Sequence, residues 1–276
     1  MNYNSIFLKH ENNACLGLED GRCGLVLLAF LLSEKNEKYK ETGLLHLNYL
    51  LKHVYESSCL SFKKGLLGIG WTLEFLKQNS LTLKSGNESL LSEIDDVIYK
   101  WVNFCDIKNF SINDGYLGCL LYLCYRLKGN RITTPYRELS LKECTVRVLG
   151  RIYCEITKQE PLLSETEWIQ LHVLMGLFKR MNIQNHISDN ILHITRSMLK
   201  KNNYTLKEQK SNTFTTYIYS LSKTSTRYKV IKKFLCVTKM IRNARPEDAG
   251  AMTDIYNFYI REVWLPSTPI PCRQLP

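Results

Sequence analysis

The stretch GLEDGRCGLVLLAFLLSE, residues 17–34, decides the fold because its pattern returns twice along the chain. The second copy is SFKKGLLGIGWTLEFLKQ at 61–78, and the third is FSINDGYLGCLLYLCYRLKG at 110–129. Each copy contains a polar turn, a Gly-x-x-Gly pair and then a run of almost entirely apolar residues. The three pairs are Gly21 and Gly24, Gly65 and Gly68, and Gly115 and Gly118.

Paired glycines at the start of a helix need a physical reason, because glycine in a helix costs about 0.5–1 kcal/mol relative to alanine. The reason that we expect is close approach of neighbouring backbones. The copies are 44 residues apart between Gly24 and Gly68 and 50 residues apart between Gly68 and Gly118. Such a period holds two helices and two loops, so the sequence predicts an all-α array of stacked helical hairpins.

The predicted hairpins alternate two kinds of helix. Inner helices are apolar on every side, as expected of buried helices, and are predicted at 22–34, 65–78, 115–128 and 165–181. Outer helices carry one apolar stripe and one polar face, and are predicted at 38–56, 88–104, 139–158 and 190–201. The first outer stripe contains Leu44, Leu47, Leu51 and Val54. In the second outer helix, Asp95 is predicted on the solvent side.

The fourth inner helix differs from the other three because it has no glycine pair. Ser164 and Glu167 have the spacing of a capping box, in which each side chain bonds the backbone N–H of the other residue. The sequence therefore predicts a helix that starts at Glu165. Two further helices are predicted at 213–222 and 228–240.

The ten cysteines are too few, in a chain of 276 residues, to indicate a disulfide framework. Cys23, Cys119, Cys124 and Cys154 lie in apolar helical patterns, where a free thiol behaves as a small hydrophobic side chain. We expect these four thiols to be reduced and buried.

The longest apolar run, from Leu25 to Leu32, is much shorter than the roughly 20 residues that cross a bilayer. The chain also opens without a basic and apolar leader of the secretory kind. The sequence therefore predicts a cytoplasmic protein with no membrane span.

The formal net charge of +11 is concentrated in one segment. Between Lys200 and Arg245 there are twelve Lys and Arg but one acid, Glu208, so the rest of the chain is neutral overall. Such a segment can bind an acidic peptide, a nucleic acid or an anionic surface. Aromatic residues are sparse in it and no nucleic-acid-binding motif is present, so a solvated face is the simpler interpretation and nucleic-acid binding is not expected.

Alternating helices whose inner members open with Gly-x-x-Gly resemble the lanthionine synthetase C-like (LanC-like) family. DGRCGLVLLAFLL, KGLLGIGWTLEFL and DGYLGCLLYLCYRL are similar to the first three inner-helix signatures of that family. The resemblance covers residues 1–200 and implies a partial α/α toroid, in which inner helices surround a central cavity. It also implies lanthipeptide biosynthesis or a related peptide modification, with a precursor or leader peptide as partner.

Active members of that family use zinc to activate a peptide cysteine for addition to a dehydrated serine or threonine. A free thiol, with a pKa of about 8.5, is mostly protonated at neutral pH, and a metal holds it as the thiolate. The family's zinc ligands are a single cysteine and a later Cys-His pair followed by glycine. This chain has no Cys-His dipeptide, so zinc and other cofactors are not expected.

Histidine spacing offers no substitute metal site. His46 and His53 are seven residues apart, as are His186 and His193, whereas a helical metal clamp has a closer spacing. We therefore interpret these histidines as ordinary surface or core residues.

Charged residues beside the glycine pairs are candidates to face the cavity. They are Asp20, Lys64 and Asp114. Residues in such positions more often cap a helix or interact with its dipole. Glu19, Asp20 and Asp114 could also act as the paired carboxylates of a carbohydrate-active toroid, but that hypothesis rests on analogy of fold alone.

The sequence changes character after Met240. Residues 241–262, IRNARPEDAGAMTDIYNFYIRE, resemble the first strand and helix of a GNAT acetyltransferase, yet no glycine-rich turn for acetyl-coenzyme A follows. The sequence predicts a LanC-like part at 1–240 and an irregular tail at 241–276 without acetyl-transfer activity. A truncated or frame-shifted fusion would have this pattern, and so would a genuine short tail.

Two classes of function follow from these patterns. In the first, the chain is a LanC-like protein associated with peptide modification, either as an enzyme with an unrecognised site or without the zinc half of its relatives. In the alternative, it is a peptide- or protein-binding helical module without catalysis. An incomplete toroid would leave an apolar edge exposed, so self-association is expected in either class.

Overall fold

Eight α-helices follow one another in the part of the chain that the computed structural model describes. The described residues are 7, 15–18, 21–33, 36–57, 59–79, 86–105, 107, 109–129, 134–158, 161, 163–180 and 185–202. The helices are α1 (Arg22–Ser33), α2 (Lys38–His53), α3 (Leu66–Gln78), α4 (Gly86–Phe104), α5 (Tyr116–Lys128), α6 (Pro135–Ile156), α7 (Glu165–Arg180) and α8 (Asn185–Lys201), with a 3-10 turn at Val54–Glu56. These ranges contain no strand, which confirms the all-α class. The helices predicted at 213–222 and 228–240 and the tail at 241–276 lie outside them.

The odd-numbered helices are the predicted inner helices, and they pack in a row. α1 packs against α3, α3 against α5, and α5 against α7. Helices α3 and α5 are buried along almost their whole length. Burial on every side explains why these segments are apolar at nearly every position rather than along one stripe.

The even-numbered helices cover this row, each on the inner helix that precedes it, and α6 also packs against both α4 and α8. Arg137 near the start of α6 donates to the carbonyl of Ser92 at 2.7 Å, and Arg151 near its end donates to the carbonyl of Cys105 at 3.3 Å. Helices α4 and α6 therefore run parallel. The result is a layered array of hairpins, and its closure into a toroid stays a prediction.

Three helices begin earlier than predicted, and the first of them is α4, which starts at Gly86 rather than at 88. Helix α6 starts at Pro135, where the fixed φ of proline suits the first helical position and its missing N–H is not needed. Thr134 caps this helix by accepting from the Arg137 N–H at 3.3 Å. Helix α8 starts at Asn185 rather than at 190.

The predicted capping box at the start of α7 is confirmed. The backbone N–H of Ser164 donates to the Glu167 carboxylate at 2.8 Å, and the Glu167 N–H donates to the Ser164 hydroxyl at 3.4 Å. None of the described helices is both long enough and apolar enough to cross a membrane.

The buried face of α2 is rotated from the predicted stripe. His46 and Leu50 are buried, whereas Leu44 is 41% exposed. Gly43 lies on the buried face, where a Cβ would come within 3.2 Å of the Phe30 ring. The orientation of α2 is therefore set by Gly43, which allows close packing, and by the buried His46. A hydrophobic pattern counts neither residue as apolar.

Two further expectations about burial are wrong. Asp95 was predicted on the solvent side of α4, but it is 2% exposed because a buried cation compensates its charge. Cys154 was predicted to be buried, but it is exposed because the core face of α6 at this level is formed by Ile152 and Ile156. Cys23, Cys119 and Cys124 are buried and none of the three is in a disulfide, as predicted.

Candidate functional site

The turns that carry the three Gly-x-x-Gly pairs, which we call the glycine turns, share one backbone geometry. The first N–H of α1, of α3 and of α5 donates to the carbonyl seven residues upstream, from Arg22 to Cys15 at 2.8 Å, from Leu66 to Cys59 at 2.8 Å and from Tyr116 to Asn109 at 3.1 Å. The first N–H groups of a helix have no partner within the helix, so the turn supplies one. The repeat seen in the sequence is therefore a repeat of hydrogen bonding.

Glycine is required in these turns because the chain folds back against the start of each helix. A Cβ on Gly65 would lie 2.0 Å from the carbonyl oxygen of Cys59, and a Cβ on Gly21 would lie 2.4 Å from that of Gly17. A Cβ on Gly115 would lie 2.4 Å from the Asn109 carbonyl oxygen. No side chain fits at such distances without a shift of the backbone.

The second glycine of the later two pairs is equally confined. A Cβ on Gly68 would lie 2.0 Å from the carbonyl oxygen of Phe62, and a Cβ on Gly118 would lie 2.1 Å from that of Ile112. Gly24, the corresponding residue of the first pair, is buried in the first turn of α1. The turns before α3 and α5 therefore use both glycines, and the turn before α1 uses Gly21, to bring the preceding loop into contact with the helix.

Neighbouring turns are joined to one another by the same backbone hydrogen bond. The Leu18 N–H donates to the Lys63 carbonyl at 2.8 Å, and the Phe62 N–H donates to the Asn113 carbonyl at 2.5 Å. Leu18 and Phe62 occupy equivalent positions in the repeat, as do Lys63 and Asn113. This bond holds the starts of α1, α3 and α5 side by side and in register.

Two of the three charged residues predicted beside the glycine pairs lie within the described ranges. Lys64 and Asp114 occupy equivalent positions, immediately before Gly65 and Gly115, and both are exposed. Asp20, like Glu19, lies outside the described residues. The row of turns brings the loops that carry Lys64 and Asp114 together, and their orientation toward a central cavity stays a prediction.

A second site is buried among α3, α4 and α5, and we call it the Arg126 cluster. Its members are Glu74 and Lys77 on α3, Glu88 and Asp95 on α4, and Tyr122 and Arg126 on α5. Arg126 donates to Glu74 at 2.9 Å, to Glu88 at 2.7 Å and to Asp95 at 3.0 Å. Tyr122 donates to Asp95 at 2.5 Å, and Lys77 pairs with Glu88.

The Arg126 cluster contains more acidic than basic groups. Three carboxylates face one guanidinium and one ammonium, which leaves one negative charge when all are ionised. Burial raises the pKa of Glu74 and of Asp95, although Arg126 opposes the shift. Burial also raises the pKa of the Tyr122 hydroxyl well above 10. The cluster therefore holds protons more tightly than exposed groups would.

A neighbouring side chain, Gln78, links the cluster to the backbone. Gln78 donates to Glu74 at 2.9 Å and to the carbonyl of Tyr125 at 2.8 Å. A Cβ on Gly129 would lie 2.1 Å from a carboxylate oxygen of Glu74, so the chain after α5 closes over this side chain. The hydrogen bonds and ion pairs of the Arg126 cluster therefore connect the second repeat to the third.

Sequence reasoning missed the Arg126 cluster, although a signal was present. Glu74 and Arg126 are charged residues within inner helices that are otherwise apolar, and they lie 52 residues apart, close to the repeat period. Opposite charges at such positions indicate an ion pair between neighbouring repeats.

The buried thiols are expected to be unreactive at neutral pH. Burial raises the pKa of Cys23 to about 12 and that of Cys144 to about 12, and it raises the pKa of Cys119 further. The thiolate is the nucleophile and the metal ligand. These three side chains are therefore protonated at neutral pH and serve as packing groups.

His46 and His53 have different partners and do not form a pair. His46 Nδ1 accepts from Arg22 Nη1 at 2.7 Å, and burial lowers the pKa of His46 to about 4. The Arg22 guanidinium also lies over the Tyr49 ring, 4.2 Å from its centroid. His53 Nδ1 bonds the carbonyl of Tyr49 at 2.8 Å. Of the two, His46 is a neutral core residue that orients a buried arginine.

Within the described ranges, no three His, Cys, Asp or Glu side chains are grouped so as to hold a metal ion. No model of a known protein family matches the chain, and no curated protein matches it significantly. The LanC-like and GNAT resemblances therefore depend on the quoted motifs alone.

Proposed function

We propose that the chain is a LanC-like protein associated with peptide modification, and that it binds a precursor peptide at the loops that open its inner helices. The observation that carries the proposal is the row of three glycine turns, joined in register by the bonds from Leu18 to Lys63 and from Phe62 to Asn113. The row gathers the loops of successive repeats along one edge of the helical array. In repeat architectures, such shared edges are common binding surfaces.

The residues available for binding at this edge are the exposed ones of the turns. Lys64 and Asp114 differ in charge and occupy equivalent positions in adjacent repeats. Side chains of opposite charge on neighbouring loops can contact a peptide that has both acidic and basic residues. The helix N–H groups bonded within the turns are not available to it, because the turn carbonyls already accept from them.

The zinc chemistry of active relatives is not part of this proposal. The chain has no Cys-His dipeptide, and the described residues do not group as zinc ligands. The buried thiols of Cys23, Cys119 and Cys144 are poor ligands because they stay protonated. Where the chain acts with an enzyme, its own part is to hold the peptide.

The experiment uses the full chain and a fluorescent peptide that contains one cysteine and one dehydroalanine. Fluorescence anisotropy measures binding, and alkylation of the remaining free thiol, read by mass spectrometry, measures thiol addition with and without added zinc. Saturable binding that weakens in Lys64→Ala and Asp114→Ala supports the proposal. Lys142→Ala, at an exposed site on α6, is the matched control and should bind as the wild type does.

The remaining outcomes discriminate between the classes of function. Protein-dependent loss of the free thiol would identify an enzyme with an unrecognised site. Binding of peptides in general, without preference for those that carry cysteine and dehydroalanine, would support a binding module outside peptide modification. No binding and no thiol loss would overturn the proposal.

A further inference from the structure

Helix α4 has an exposed strip on the side where it meets the turn that follows α2. Glu93, Val97, Lys100 and Phe104 follow one another at spacings of four, three and four residues, which keeps them on one side of the helix. All four residues are exposed, Val97 by 39% and Phe104 by 81%. We call these four residues the α4 strip. Alternating spacings of three and four residues are typical of helices that pack along one another in a coiled coil.

The α4 strip has no helix packed along it in the described part of the chain. Helix α6 packs on a different side of α4, where Arg137 donates to the Ser92 carbonyl and to the Asp96 carboxylate. Between α2 and α4, the described elements make no comparable helix-to-helix contact. The two helices meet instead through the turn after α2, whose Tyr55 hydroxyl bonds the Glu93 carboxylate. The α4 strip is therefore open to another helix.

The charges of the α4 strip are self-complementary. Glu93 precedes Val97 by four residues, and Lys100 follows Val97 by three. A two-fold axis at Val97 pairs the strip with a copy that runs in the opposite direction, so Glu93 of one copy lies beside Lys100 of the other. The same axis forms the reciprocal pair. A second copy of the chain therefore always has the charge order that the strip requires.

The same axis brings exposed aromatic residues together. With a helical rise of about 1.5 Å per residue, Phe104 lies about 10.5 Å beyond Val97, and Glu93 lies about 6 Å before it. In an antiparallel pair, Phe104 of one copy is therefore within about one helical turn of Glu93 of the other. Tyr55 is bonded to Glu93 and is 71% exposed, so its ring is available to Phe104 of the second copy. Aromatic side chains supply much of the apolar contact in protein interfaces.

We propose that two copies of this chain associate through their α4 strips, antiparallel and around a two-fold axis at Val97. The ion pairs between Glu93 and Lys100 fix the register. Val97 and the two contacts between Tyr55 and Phe104 supply the apolar part of the interface. This interface lies on the outer layer, whereas the self-association expected of an incomplete toroid would use an open apolar edge of the helical array.

Sedimentation equilibrium of the full chain at several concentrations tests the proposal, and we expect a reversible equilibrium between monomer and dimer. Glu93→Lys and Lys100→Glu each place like charges together at two symmetric sites, so each should raise the dissociation constant of the dimer by about tenfold or more. The double variant Glu93→Lys/Lys100→Glu restores opposite charges in the reverse order. Its dissociation constant should return to within about threefold of the wild-type value.

Glu143→Lys is the matched control for charge reversal, because Glu143 is a surface residue of α6 outside the strip. It should leave the dissociation constant unchanged. Circular dichroism establishes whether each variant keeps the helical fold.

A cross-link locates the axis independently of charge. In Val97→Cys, the introduced thiols of the two copies face each other, so oxidation with copper phenanthroline should form a disulfide between them. Mass spectrometry of the unreduced peptides separates this link from any link through the native cysteines. Leu139→Cys is the control, since Leu139 is an exposed apolar residue on α6 outside the strip, and its introduced thiols should not link to each other.

Every other result contradicts the proposal. A monomer at all concentrations would show that the strip is not a contact between copies. A dimer that is insensitive to Glu93→Lys and Lys100→Glu, or that forms no link in Val97→Cys, would place the interface elsewhere. A folded double variant that stays as weak as the single variants would rule out the pairing of Glu93 with Lys100.

Discussion

Arg126 on α5 contacts Asp95 on α4 through two nitrogens, with Nε 3.2 Å and Nη2 3.0 Å from the same carboxylate oxygen. Both side chains are almost fully buried. Because α4 belongs to the second repeat and α5 to the third, this ion pair joins two repeats through the protein interior. A buried charge loses its hydration, so each member depends on the other.

Arg126→Met should lower the free energy of unfolding by about 3–5 kcal/mol, because it leaves Glu74, Glu88 and Asp95 without their shared cation. Urea unfolding measured by circular dichroism gives this value. Arg147→Met is the control, because Arg147 pairs with Glu143 on the surface. The control should change the free energy of unfolding by about 0.5 kcal/mol or less, and equal effects in the two variants would contradict the account of the cluster.

Glu74 makes the stability of the protein depend on pH. Burial raises its pKa above 4.5, so the folded protein keeps a proton that the unfolded chain releases. Its contribution to the free energy of unfolding is complete below pH 4.5 and is lost as the pH rises through the raised pKa. Glu74→Gln removes this titration, so the variant should gain stability relative to wild type as the pH rises from 4.5 to 8.

The comparison is made by urea unfolding at several pH values. Glu143→Gln on the surface of α6 is the control, and its difference from wild type should stay within about 0.5 kcal/mol at each pH. A difference between Glu74→Gln and wild type that is constant with pH would show that Glu74 has no raised pKa.

His46 has the opposite dependence on pH. Burial lowers its pKa from 6.5 to about 4, so the unfolded chain binds a proton that the folded protein does not. This contribution to the free energy of unfolding is complete above pH 6.5 and is lost as the pH falls toward 4. His46→Gln, whose amide oxygen can still accept from Arg22, should reduce the loss of stability between pH 6.5 and 4, and a pH profile identical to that of wild type would count against it.

The capping box of α7 contributes to stability locally. Ser164→Ala removes the hydroxyl that accepts from Glu167 and should lower the free energy of unfolding by about 1 kcal/mol. Ser140→Ala is a useful control because the Ser140 hydroxyl bonds a carbonyl within α6 instead of capping a helix. Thermal unfolding compares the two, and a larger effect at Ser140 would be inconsistent with the assigned cap.

The sequence was sufficient to predict the eight described helices, since the four outer helices have an amphipathic period and three of the four inner helices follow a glycine pair. Ser164 and Glu167 correctly predicted the start of α7. The start of α6 was predicted at 139 and lies at Pro135. The rotation of α2 could not be predicted, because it depends on the contact between Gly43 and Phe30 and on the bond between His46 and Arg22. These contacts join different elements and have no signature within α2 itself.

The candidate sites were predictable to different degrees. The glycine pairs indicated close backbone approach, and the structure contains such contacts at Gly65 and Gly118. The bond from Phe62 to Asn113 that aligns neighbouring turns was not predictable, because backbone groups leave no trace in a residue pattern. Asp95 was misplaced because an aspartate beside other acidic residues, here Glu93 and Asp96, ordinarily faces solvent on an amphipathic helix. Only the three-dimensional position of Arg126 reverses this.

The claim that the glycine turns organise the array is tested most directly by adding one methyl group at two glycines and comparing the free energies of unfolding. A Cβ at Gly118 would lie 2.1 Å from the Ile112 carbonyl oxygen, whereas a Cβ at Gly150 within α6 would meet nothing within 4 Å. Gly118→Ala should lower the free energy of unfolding by about 1–3 kcal/mol or more. Gly150→Ala should raise it by about 0.5–1 kcal/mol, because alanine is the better helix former. Equal stabilisation by both substitutions would contradict the account, because the close approach that defines the turns would then not exist.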